Sequence, residues 1–209
     1  ISFAAAVVLI GVLPATTQSQ TSGGTLPERL TAFAVSTGGA VTPPVASQVD
    51  ITISRWSTAA ETARLLETLK TKGAEALLDA VRVAKSVGTI RTPGNLAYDL
   101  RFAQQEMIGD GLRQIVLITD RPISMWEAVN RPRSINYPFT LIELRLDKEG
   151  RGEGKLNLAT RIDISPTGRM VQLENYDTQP IHLNEVRPAR WSGERSPPPT
   201  TSGSCRPTS

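Results

Sequence analysis

Residues 139–164 read FTLIELRLDKEGRGEGKLNLATRIDI, and the glycine-rich middle of this run decides what kind of fold the chain has. Ile142, Leu144 and Leu146 alternate with Glu143, Arg145 and Asp147, the period of a half-buried strand. Leu156, Leu158, Ile162 and Ile164 repeat the pattern after the glycines. Between them, Gly150, Gly152 and Gly154 stand on alternate positions among charged residues, a texture shared by ion-binding and phosphate-binding loops. A calcium loop starting at Asp147 has Glu149 and Gly152 in place, but Arg151 at position 5 and Leu158 at position 12. A cation repels the ion, and a leucine offers it no oxygen. A phosphate loop fails at Glu149 and Leu156, where glycine and a hydroxyl residue are required. The stretch is therefore a hairpin tip between two antiparallel strands.

Outward from this hairpin the pattern continues. SPTG (165–168) has type I turn chemistry, and RMVQLENY and IHLNEV follow as further strands, completing a C-terminal β-meander. Upstream, TAFAVS, QVDITISRW, SVGTIRT and RQIVLITD have strand character. Tyr98, Leu100 and Phe102 alternate with Asp99, Arg101 and Ala103, which predicts one strand with its apolar side chains on one face. Thr58 with Glu61 fits a capping box, and Leu65, Leu66, Leu69, Leu77, Leu78 and Val81 keep helical spacing. One broken helix, or two short ones interrupted near Gly73, is expected over about 58–84. The fold class expected is α+β: mostly antiparallel β, about eight strands curled toward a barrel, with one helical insertion.

The ends differ from this body. Residues 1–13 are an uncharged apolar run, too short to span a bilayer and suited to the core of a secretory signal. The layout expected is a signal peptide over 1–20 with its start truncated, a linker over 21–30, a single globular domain over 31–187 and a disordered Pro/Ser/Thr-rich tail over 188–209. The formal charge of +3 matches the net charge from Arg187 onward, so residues 28–186 are neutral. The basic pI of 9.3 thus belongs to the tail and gives little support to nucleic-acid binding. Cys205, the single cysteine, lies in that tail, so the domain holds without an internal disulfide.

Chemically pointed residues are few. His182 sits between Ile181 and Leu183 on the opposite, wet face of its strand, and with no GxSxG elbow there is no serine triad to build on it. One histidine and one tail cysteine do not supply a zinc site, and no cofactor or metal is expected. Glu143 and Glu174 could serve a hydrolase only if the fold brought them together. The order of elements through Asp50-x-Thr52-x-Ser54, a helix, TPGNLAYDL and RQIVLITD resembles a von Willebrand A domain. That resemblance implies divalent-metal ligation by Asp50, Thr52, Ser54, Thr92 and Asp120. Against it, these first three residues lie within a strand, and 37 residues from Ser54 to Thr92 leave little room for the extra strands of that fold. The connection 121–138 gathers Arg121, Arg131 and Arg133 beside Trp126 and Tyr137, a combination suited to a carboxylate, sugar acid or phosphate.

The motifs TDRPIxxWE (119–127) and YPFTLIE (137–143) resemble a group of small secreted bacterial proteins known only as hypothetical, over roughly 31–187. The resemblance implies one exported domain and carries no activity, cofactor or catalytic residue. The expectation is a secreted or periplasmic, non-enzymatic domain that binds a small anionic ligand or an envelope protein, without nucleic acid and without a membrane span in the mature chain. Alternatives are a metal-dependent adhesion domain and a hydrolase using strand carboxylates.

Overall fold

The computed structural model describes residues 26–36, 45–93, 96–120, 139–164, 171–175 and 180–189. In chain order the strands are β1 (Glu28–Ser36), β2 (Val45–Ile53), β3 (Gly88–Arg91), β4 (Tyr98–Leu100), β5 (Phe102–Ile108), β6 (Leu112–Thr119), β7 (Phe139–Leu146), β8 (Gly152–Ile164), β9 (Val171–Asn175) and β10 (Ile181–Pro188). The helix α1 (Ala59–Arg82) is inserted between β2 and β3. Every strand pairing among the described residues is antiparallel. The sheet runs β4-β3-β2-β1-β10-β8-β7-β6-β5, with β9 beside the far half of β8. Only Arg101 separates the two edge strands β4 and β5, so the sheet curls into a nearly closed barrel. The seam is stitched by Arg101 N–H donating to the Ile118 carbonyl at 2.8 Å and Ser57 N–H donating to the Ala103 carbonyl at 2.8 Å. Because β4 and β5 follow one another directly and β9 and β10 share one edge of β8, the described segments form about eight staves, as the alternation predicts.

Alternation fills the lumen. Leu30, Ala32 and Ala34 of β1 meet Val49, Ile51 and Ile53 of β2, Ile115 and Leu117 of β6, and Ile142, Leu144 and Leu146 of β7 in one buried cluster. The opposite phase carries Gln48, Arg145, Lys155 and His182, all exposed. Apolar inside and charged outside is the reverse of a transmembrane barrel. Among the described residues no helix is long and apolar enough to cross a membrane.

The glycine run forms the β7–β8 hairpin that its flanking patterns predict. Asp147 Oδ1 accepts from the backbone N–H groups of Glu149 (2.9 Å) and Arg151 (2.8 Å), tying off the turn, while Gly150 takes φ +74°. Gly152 and Gly154 serve a different purpose. They pair with Leu146 and Leu144 on the lumen side, where a Cβ would stand 1.9 Å from the Arg145 carbonyl oxygen and 2.6 Å from that of Glu143. Strands can coil this tightly only without side chains at those points.

The helix α1 begins as its capping box predicts: Thr58 Oγ1 accepts from Glu61 N–H at 3.1 Å, and Thr58 N–H donates to Glu61 Oε2 at 2.8 Å. Gly73, at φ +84°, breaks it into two arms. The second arm returns the chain close to where the first left it, since Arg55 bonds both Glu61 and the Lys85 carbonyl. Leu65, Leu69, Leu77 and Val81 cover the outer face of the barrel over Phe102, Ile118, Phe139 and Ile162, making a second core.

Three expectations need correction. Leu100 and Phe102 do not share a face. The break at Arg101 shifts the phase, so Leu100 enters the lumen cluster and Phe102 the helix-covered one. In β8 a register shift between Leu141 and Phe139 does the same, sending Leu156 inward and Ile162 under the helix. Finally, residues 28–30, expected as linker, are the start of β1, with Leu30 fully buried.

Candidate functional site at the barrel mouth

One end of the barrel is framed by the start of β1, the β5–β6 and β7–β8 turns and the end of β10. There the packed lumen stops and a cleft of about 680 Å³ opens. Its lining includes Leu26, Pro27, Met107, Arg113, Lys148 and Pro188. Leu26 is 40% exposed and Met107 58% exposed, two of the six large apolar side chains left exposed among the described residues.

The floor is polar. Arg113 and Glu28 form a bidentate ion pair: Nη1 donates to Glu28 Oε2 at 3.0 Å, and Nη2 donates to Oε1. Gln105 Oε1 accepts a further bond from Arg113 Nη1 at 3.2 Å. Both charged side chains are only 10% exposed, so each compensates the desolvation of the other. A signal for this pair exists in the sequence. Arg113 is in phase with Ile115 and Leu117, and Glu28 is in phase with Leu30 and Ala32, so each places a charge in a core position. Their separation of 85 residues hides the partnership.

The rim is charged. Lys148 lies across the mouth from the β7–β8 turn, its Cε 2.9 Å from where a Cβ on Gly111 would be. Among the described residues neither Lys148 nor Arg29 has a carboxylate within ion-pair distance. Asp147 Oδ1 accepts from the turn amides, and the Glu149 side chain is exposed beside it.

The residues singled out from sequence as a ligand site, Arg121, Trp126, Arg131, Arg133 and Tyr137, lie outside the described residues. The positions that flank them are at the opposite end of the barrel from the cleft. Asp120 is 3.7 Å from Arg101 Nε, and Phe139 is fully buried in the helix-covered core. Arg101 also pairs with Asp99 at 3.2 Å and donates to the Ala84 carbonyl at 3.0 Å, joining the seam, the end of α1 and the end of β6.

The von Willebrand A-like metal arrangement does not assemble. Asp50 is paired with Arg91 at 3.4 Å and accepts a bond from Gln48 at 2.9 Å. Register places Thr92 beyond Arg91, at the Asp50 end of β2, while Ser54 lies four residues further along, about 13 Å away. Among the described residues no group of three or more His, Cys, Asp or Glu is placed to hold a metal ion. Glu143 pairs in register with Lys155 and Glu174 with Arg161, which sets their backbone positions about 20 Å apart along β8. Carboxyl pairs of glycosidases are about 5–9.5 Å apart. His182 is exposed between buried Ile181 and Leu183, as the alternation predicts.

At the neck of the helical insertion, the Arg55 guanidinium first, and the Thr58 backbone N–H second, hold the Glu61 carboxyl at about 2, well below its ordinary value. The Arg55 bonds are 2.9 and 3.1 Å long, and they fix where α1 leaves the barrel. No protein-family model, curated protein or solved structure matches this chain.

Proposed function

We propose that the chain is an exported, non-enzymatic binding domain that takes a small ligand, or part of an envelope component, at the barrel mouth. The observation that carries this reading is the contrast between lumen and mouth. The lumen is filled by its own Leu, Ile and Val side chains, so a ligand has no room there. At the mouth a cleft combines exposed apolar walls with a polar floor held rigid by the Glu28–Arg113 pair. Export is supported by the apolar run over 1–13, which has the length and character of a secretory signal core.

The uncharged fluorescent probe N-phenyl-1-naphthylamine tests the site. Its emission is expected to rise with the folded protein and to fall back in Met107→Glu. Phe33→Glu, which charges an exposed position on the outer face of β1, should leave the emission unchanged. A signal untouched by Met107→Glu, or no signal at all, overturns the reading. Fractionation of cells producing the natural protein tests export, and retention in the cytoplasm overturns it.

A further inference from the structure

We infer that the mouth cleft takes an extended segment of a partner polypeptide, which adds as a strand to the free edge of β5 and turns an apolar side chain onto Met107. This rests on the mouth being the binding site and names what binds there. The edge follows from the sheet order: β5 is a terminal strand, paired only with β6 among the described residues. Ala103 fixes which backbone groups point away from β6. Its carbonyl accepts from Ser57 N–H at 2.8 Å, and its N–H donates to Ser57 Oγ at 3.1 Å. Backbone groups alternate direction along a strand, so Gln105 and Met107 present theirs to the same side as Ala103. Among the described residues nothing bonds the backbone of Gln105 or Met107 on that side. Two donors and two acceptors are left open there, with the two residues about 6.8 Å apart.

An extended backbone offers complementary groups at that spacing. A residue bonded to Met107 turns its side chain to the same face as Met107, into the cleft, where Leu26, Pro27 and Pro188 supply apolar walls. Its neighbour, opposite Glu106, faces outward. Glu106 is exposed, and its partner on β6 is the neutral Gln114. Among the described residues no cation lies within ion-pair distance of Glu106. A lysine or arginine opposite it gains a partner, whereas a carboxylate there meets like charge. The segment that fits therefore alternates apolar, basic, apolar. Two β5 edges paired about a two-fold axis at Glu106 would oppose like charges, which disfavours a second copy of this chain.

The blocked peptide acetyl-Ser-Val-Lys-Val-Ser-amide tests this on the full chain, with hydrogen exchange of single backbone amides as the readout. In the free protein Gln105 and Met107 are expected to exchange fast, and Gln104 and Glu106, which face β6, slowly. The peptide should slow Gln105 and Met107, and methylating both valine nitrogens should abolish that effect. Glu106→Gln should weaken the peptide about threefold, the size expected of an exposed charge pair. If the N-methylated peptide binds equally well, strand addition is overturned while the mouth remains a binding site. If N-phenyl-1-naphthylamine binds and the peptide does not, the peptide assignment alone fails; if neither binds, both readings fail. Slow exchange of Gln105 and Met107 in the free monomer would show that the chain covers its own edge. Slowing that grows with protein concentration, alongside a doubled mass in light scattering, would place a second copy there. Either result overturns the assignment.

Discussion

The described residues form two hydrophobic cores that draw on shared strands. The lumen core collects Leu30, Ile51, Ile115, Ile142 and Leu144 from strands that alternate without interruption. The outer core collects Phe102, Phe139 and Ile162 beneath α1, and two of these come from strands whose alternation has slipped. Where α1 lies, the outer face is dry; across β10, β1 and β2 the same kind of face carries His182, Asn184 and Gln48 in water. A barrel strand is therefore one-sided or two-sided according to what covers it. One helical insertion decides which.

The largest expected effects test whether the two cores are separable. Leu144→Ala empties part of the lumen and should cost about 2–5 kcal/mol in urea unfolding, lowering hydrogen-exchange protection in all barrel strands together. Leu69→Ala lies in the outer core, and its loss should fall first on the amides of α1. Equal loss of protection in α1 and in β6 and β7 would show that the two cores open as one unit.

Gly152→Ala sharpens the comparison from the other side. The added methyl must displace the Arg145 carbonyl, so a cost of about 1–3 kcal/mol is expected, with changed amide shifts along β7. The same substitution at Gly109, where nothing lies within 4 Å, should cost less. Thr58→Ala removes the cap of α1 and should cost about 1 kcal/mol, again read most strongly in α1 exchange.

The smallest effect is in acid. Because the folded Glu61 carboxyl is held at about 2, its contribution is fully present above its ordinary value of 4.5 and is lost as pH falls toward 2. Glu61→Gln should therefore reduce the decline of melting temperature with acidification across that window. An unchanged slope would mean that the Arg55–Glu61 pair contributes nothing to folding.

Much of the architecture is legible in local patterns. The capping box at Thr58 and Glu61, the helix break at Gly73 and the hairpin at 147–151 each depend on residues a few positions apart. The slips at Arg101 and in β8 were not legible, because an alternating run looks the same whether its apolar side chains meet one core or two. The candidate site was less legible still. The sequence-marked cluster at 121–138 falls outside the described residues, whereas the mouth is assembled from the start of β1, two turns and the end of β10. No short window contains it.

By itself the sequence determined the elements: period-two strands, one capped and broken helix, and an antiparallel pair around a glycine run that holds no ion. Tertiary structure alone decided that the sheet nearly closes, that Glu28 and Arg113 meet as a buried pair, and that Gly152 and Gly154 permit the tight bend of β8. The physical reason is range. Periodicity and capping act over a few residues, while closure, the pairing of charges 85 residues apart and the approach of one strand's carbonyl to another's glycine exist only after the chain has folded.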